Sequence, residues 1–166
     1  MKTAFHPSSF ILHTLSSLWL HEPTAETISR AVKELNLPHA DPNELASAYT
    51  DLFLLNVYPY GTVYTDIDGE LNAPATQQIA GLFEAHNYRP PELNEVGAAD
   101  HAGLCLGFLS VGQDDILPYI LDWIPIYCLA VEREPSVHPF YRALASHTRD
   151  HLLSLPVTNY QLPVLN

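Results

Sequence analysis

Apolar residues along this chain recur at helical spacing, and no segment sustains the two-residue alternation of a half-buried strand. Pro7-Ser8-Ser9 opens a first helix whose apolar members include Phe10, Ile11, Leu15, Leu18 and Trp19, and His21-Glu22-Pro23 stops it. Thr24 caps a second, TAETISRAVKEL, with Glu26 and Thr27 in its first turn and Leu37-Pro38 as the break. A third starts behind Asp41, with Pro42 at the first helical position, and carries Leu45, Ala48, Leu52 and Leu55. The stretch NVYPYGTVYTDIDGEL that follows is not helical: Tyr58 and Tyr60 flank Pro59, Gly61 permits a turn and Asp68-Gly69 signals another. Helices resume over 73–86, 98–111, 114–132 and 136–155, with Pro118 and Pro125 kinking or ending turns. The pattern predicts an all-α chain of about six or seven helices with Leu52, Leu82, Phe83, Leu104, Leu106, Phe108 and Leu121 in its core.

Length and composition narrow this to one domain. With 166 residues, 47% of them hydrophobic, the chain can bury one sizeable core, and neither an internal repeat nor a linker divides 1–166. No apolar run reaches the ~20 residues that span a bilayer. The longest, 10–20, is interrupted by His13, Thr14, Ser16 and Ser17 and lacks a cleavage site, so a cytoplasmic protein without a signal peptide is expected. Cys105 and Cys128 stand in separate apolar segments and read as reduced core residues rather than a disulfide framework. A net charge of −12, from 7 Lys+Arg against 19 Asp+Glu, repels phosphate backbones and attracts cations. Nucleic acid is thereby disfavoured as a partner and a basic peptide favoured.

The chemistry worth weighing starts in GAADHAGLCLGFLSVG, where Asp100 and His101 head an apolar helical run. In one reading Asp100 sits in the first turn, accepting free amide N–H groups at the positive dipole end, and His101 merely flanks it. In the other, both face a groove shared with Tyr58-Pro59-Tyr60 and engage a ligand. His101 and Cys105 are four apart on one helix face, which makes a thiolate–imidazole pair conceivable. Against it, GLCLGF is an apolar setting that raises a thiol's pKa, and no oxyanion hole is evident. His147 and His151 share a face at metal-ligand spacing, but no third clustered ligand completes a site. DIDGEL lacks the sixth-position glycine and terminal glutamate of a calcium loop and reads as an acidic turn. Trp123 and Pro125, with Tyr127, read as aromatic core packing beside a helix break. With no glycine-rich phosphate loop, ligand cluster or nucleophile elbow, neither a cofactor nor a catalytic residue is assigned.

Taken together, YPYGTVYTD, then AADHAGLCLGFL, then WIPIYCLAVEREPSVHPFYRALASHT resemble, in order and spacing, the TorD/DmsD/NarJ family of redox-enzyme maturation chaperones. LHTLSSLWLHEPTAETISRAVKEL is similar to that family's first two helices, so the likeness covers nearly the whole chain. The resemblance implies a TorD-like helical fold, no enzymatic activity, and a cytoplasmic proofreading role. It implies binding of the twin-arginine leader, or the body, of a molybdenum-cofactor oxidoreductase subunit until the cofactor is loaded. It also carries Tyr58, Pro59, Tyr60, Asp100, His101, Trp123 and Pro125 onto the client-binding surface. Such a receptor needs carboxylates beside an apolar groove, and this composition supplies both. A hinge near 95–98 is compatible with a monomer or a domain-swapped dimer. The competing expectation is a small helical enzyme or metal protein using His101 with Cys105, or His147 with His151.

Overall fold

In the computed structural model, which describes residues 7–66, 68 and 73–156, ten α-helices follow one another. They are α1 (Pro7–Leu20), α2 (Ala25–Leu35), α3 (Pro42–Tyr49), α4 (Thr62–Thr65), α5 (Pro74–Ala85), α6 (Leu93–Val96), α7 (Ala102–Ser110), α8 (Leu117–Leu121), α9 (Ile124–Arg133) and α10 (Pro139–Ser154). No strand occurs among the described residues; Tyr60 and His101 form one isolated antiparallel bridge. The all-α class holds, and the helices exceed the expected six or seven because α4, α6 and α8 are only four or five residues long; α4 also corrects the expectation that 56–71 is free of helix, since the chain after the Gly61 turn closes one helical turn there.

Local signals act as the sequence implies at the early caps. Thr24 and Thr27 cap α2 reciprocally, the Thr24 N–H donating to Thr27 Oγ1 at 2.8 Å and the Thr27 N–H to Thr24 Oγ1 at 3.3 Å. Asp41 Oδ1 accepts from Asn43 N–H at 2.8 Å ahead of α3. Beyond α3 the chain widens into a π-helical turn over Thr50–Asn56, closed by Val57 N–H donating to the Leu52 carbonyl at 2.7 Å. This corrects one expectation. At 3.6 residues per turn Leu55 would follow Leu52 into the core, but a wider turn rotates the next positions outward. Leu52 is buried and Leu55 exposed.

A second correction concerns 114–132, which is three pieces: a 3₁₀ turn at Asp114–Ile116, then α8, then α9. Pro118 and Pro125 each occupy the first turn of the helix that follows the break, where a missing N–H costs nothing. Leu82 and Leu121 are half-buried; Leu52, Phe83, Leu104, Leu106 and Phe108 are buried as expected.

The helix at the middle of the packing is α7, all nine of whose residues are buried. It crosses α1 closely: Ser16 Oγ donates to the Gly103 carbonyl at 2.7 Å. A Cβ on Gly103 would overlap the Leu20 side chain, and one on Gly107 would lie 2.8 Å from Tyr88 Oη. Around this pair, Trp19 of α1 packs edge-on against Phe53 and Tyr127 at 5.5 and 5.2 Å. Its Nε1–H donates to Thr148 Oγ1 of α10 at 3.0 Å. Arg149 ties α10 to α9 by donating to both Glu132 oxygens, at 2.6 and 2.7 Å.

The glycines give a prediction of sign. Replacing an interior helical glycine by alanine gains about 1 kcal/mol of helix propensity, whereas overpacking a close contact costs about 1–3 kcal/mol. Gly81 of α5 has nothing within 4 Å of an added Cβ, so Gly81→Ala should stabilise by close to the propensity gain. Gly103→Ala should destabilise, because Leu20 and the Ser16 carbonyl must both give way. Urea midpoints of the two variants, measured side by side, check both signs.

Candidate functional site

The Tyr58–Thr62 segment lies across the start of α7 and is stitched to it by main-chain bonds. Gly61 N–H donates to the Asp100 carbonyl at 3.0 Å, and Ala102 N–H donates to the Pro59 carbonyl at 2.8 Å. The Tyr60 hydroxyl donates to the Val96 carbonyl at 2.7 Å, and its ring meets the His101 ring edge-on at 5.1 Å. Each helix start leaves amide donors unpaired. Two such starts, α4 and α7, are placed back to back here, and the Asp-His pair serves both.

The division of labour reverses the helix-cap expectation. His101, not Asp100, caps α7: its Nδ1 accepts from Gly103 N–H at 3.1 Å, so Nε2 carries the proton. Burial, reinforced by nearby His21, pushes the His101 pKa down to about 3. Asp100 instead serves the short α4, Oδ2 accepting from Thr62 N–H at 2.8 Å. Its other oxygen, Oδ1, is buried with no hydrogen-bond partner. An unpaired buried acceptor is costly, which makes this oxygen a candidate ligand point.

Asp100 forms part of the wall of a cleft of about 130 Å³, together with Gly61, Gln78, Ile79, Tyr119, Asp122 and Trp123. The Trp123 ring is buried, with Tyr64 stacked parallel to it at 6.1 Å. Gly61 is required at this point, since a Cβ there would sit 2.9 Å from the indole. Gly61→Ala should therefore displace Trp123, visible as a shift in its fluorescence with a small loss of stability. An unshifted spectrum would show that the indole has slack.

The sequence-derived residues thus divide. Asp100 and Trp123 meet in the cleft; Pro59, Tyr60 and His101 build the support behind it. Tyr58 is exposed, its carbonyl accepting from the Tyr64 hydroxyl at 3.3 Å. Pro125 is half-buried in the first turn of α9 and does not line the cleft. Tyr119, Asp122 and Gln78 were not foreseen. The one signal for them was Asp122 itself, an acidic residue beside Trp123 in an apolar run.

The arrangements behind the enzyme and metal expectations differ from what those chemistries need. Cys105 Sγ is oriented to the Ala99 carbonyl at 3.7 Å. Burial pushes its thiol pKa well up, with Asp100 adding to the effect, while His101 Nδ1 is occupied by its own helix. His147 and His151 are half-buried on α10, and burial lowers both pKa values. Among the described residues no group of three or more His, Cys, Asp or Glu side chains is placed to hold a metal. The acidic turn at 66–71 lies mostly outside the described residues. Among those described, no helix is long and apolar enough to cross a membrane.

The molecule is thus an all-helical body with a loop-backed cleft, the Asp100 carboxylate in its wall, beside the start of its central helix. The chain belongs to the nitrate reductase delta subunit family, whose model matches residues 20–117, one of the TorD/DmsD/NarJ-type redox-enzyme maturation chaperone families. No curated protein matches it. The matched span takes in the Tyr58–Thr62 segment, Asp100, His101 and α7, and ends before Trp123.

Proposed function

We propose that this protein is a cytoplasmic assembly chaperone for a nitrate reductase-like, molybdenum-cofactor oxidoreductase. In this reading, 1–166 acts as one domain without a cofactor of its own. It holds the catalytic subunit back from export by binding the subunit's twin-arginine leader until the cofactor is loaded. Family membership supports the maturation role. The observation that carries the leader reading is Asp100 Oδ1, a buried carboxylate oxygen without a partner on the wall of an aromatic cleft. A guanidinium suits that setting: it is planar, weakly hydrated, always charged, and it stacks on aromatic faces while donating to carboxylates. The −12 net charge of the chain adds a field that speeds encounter with a basic peptide and is screened by salt over roughly 8–10 Å.

Calorimetric titration with a twin-arginine leader peptide tests this. Binding is expected to weaken at least about tenfold when both arginines become lysines, because an ammonium lacks the planar fork. Raising the ionic strength should slow association more than it speeds dissociation. A peptide that binds equally well with lysines would remove the guanidinium from the account.

A further inference from the structure

Resting on that reading, we propose that Ile126 and Leu129 on the exposed face of α9 seat the apolar residues that follow the arginine in the bound leader. The site is then bipartite: an aromatic cleft with a carboxylate in its wall for one arginine and, beyond it, an apolar rail.

The rail begins where the cleft ends. Tyr119 and Asp122 line the cleft and are exposed. Trp123, in the cleft wall, is the N-cap of α9, and Ile126 and Leu129 follow on that helix three residues apart, a step that keeps side chains on one face. The opposite face of α9 is core, with Tyr127, Cys128 and Val131 fully buried. Ile126, at 52% exposure, and Leu129, at 37%, therefore stand in solvent with no intramolecular reason to be apolar.

Charge sets the direction. Arg133, the basic residue of α9, stands exposed one turn past Leu129. A basic ligand group is drawn to the other end, where Asp100 lies. Spacing sets the register. Trp123, in the cleft wall, precedes Ile126 and Leu129 by about 4.5 and 9 Å of helix rise. An extended peptide covers about 3.3 Å per residue, so the apolar side chains that reach the rail fall within about three positions after the arginine.

The test measures peptide affinity by fluorescence anisotropy with two labelled twin-arginine peptides, one keeping its apolar residues at the first three positions after the arginines and one with serines there. Wild type, Ile126→Ser/Leu129→Ser and Asp100→Asn are compared, and a thermal melt of each confirms the fold. If the rail seats the apolar segment, the double variant binds the apolar peptide about tenfold or more weakly, as removal of two half-buried aliphatic contacts implies. It binds the serine peptide as wild type does. Equal losses for both peptides, or none, overturn the rail while leaving the leader reading intact, provided Asp100→Asn still weakens binding. A wild-type protein that binds neither peptide overturns the leader reading itself and the rail with it. Concentration-dependent self-association in sedimentation velocity, abolished in the double variant, would assign the face to a second copy of the chain and overturn the proposal.

Discussion

Asp100→Asn is expected to weaken binding of a twin-arginine peptide by about 10- to 100-fold while leaving the fold nearly as stable as wild type. The two expectations come from the two oxygens. Oδ2 holds the Thr62 N–H at the start of α4, and an asparagine carbonyl can accept that bond equally well. Oδ1 has no partner in the protein, and in asparagine its place is taken by an amide NH₂, a donor facing a donor-rich guanidinium. The loss of a charge-assisted bond and its replacement by a mismatch are worth about 1.4–2.7 kcal/mol, which is the stated range in affinity. Asp100→Ala is the informative contrast. It strips the cap from α4 as well, leaving a buried amide unpaired at a cost of about 1–3 kcal/mol in stability. Calorimetry and thermal melting of the two variants separate the roles. Unchanged affinity in Asp100→Asn would leave Asp100 with the loop-bracing role alone.

Stability is expected to fall on acidification below pH 6.5, with His101 the main contributor. Its pKa in the folded protein is about 3, against about 6.5 in an unfolded chain, so below pH 6.5 the unfolded state binds the extra proton. The contribution is fully present above pH 6.5 and is lost as pH falls through the window down to about 3, with about 2 kcal/mol of it gone by pH 5. His147 and His151, whose pKa values are also lowered, act with the same sign and, being half-exposed, more weakly. His101→Asn supplies the control, because asparagine is a good N-cap for the Gly103 N–H but does not titrate. Its cost in packing should be the same at every pH, while the dependence of the urea midpoint between pH 4 and 6 should flatten by close to one proton. Parallel curves for the two proteins would locate the acid sensitivity elsewhere.

Much of this protein is written in local chemistry. The helical class, the caps at Thr24 and Asp41 and the burial of Leu52, Phe83, Leu104, Leu106 and Phe108 follow from periodicity and from residues that satisfy their own neighbours. These effects act over one or two helical turns, so a sequence window contains both partners. The family, too, was legible in the ordered motifs around Tyr58, Asp100 and Trp123.

What only the tertiary structure decided involves partners far apart in the chain. The sequence leaves the Asp-His pair open between a cap with its neighbour and a ligand-facing pair; in the fold His101 caps α7 while Asp100 reaches back 38 residues to Thr62. That exchange depends on α4 and α7 starting side by side, which no local pattern encodes. Leu55 turned outward because the chain widens into a π-helical turn after α3, which a 3.6-residue period cannot anticipate. Gly61 looked like a turn residue, but its lack of a side chain is used by the Trp123 indole from the far end of the sequence. The cleft itself exists because Asp100 is brought beside Tyr119, Asp122 and Trp123, some twenty residues further along the chain. Residue identity determined which groups were available; the packing of α1 on α7, with α8 and α9 alongside, determined which of them met.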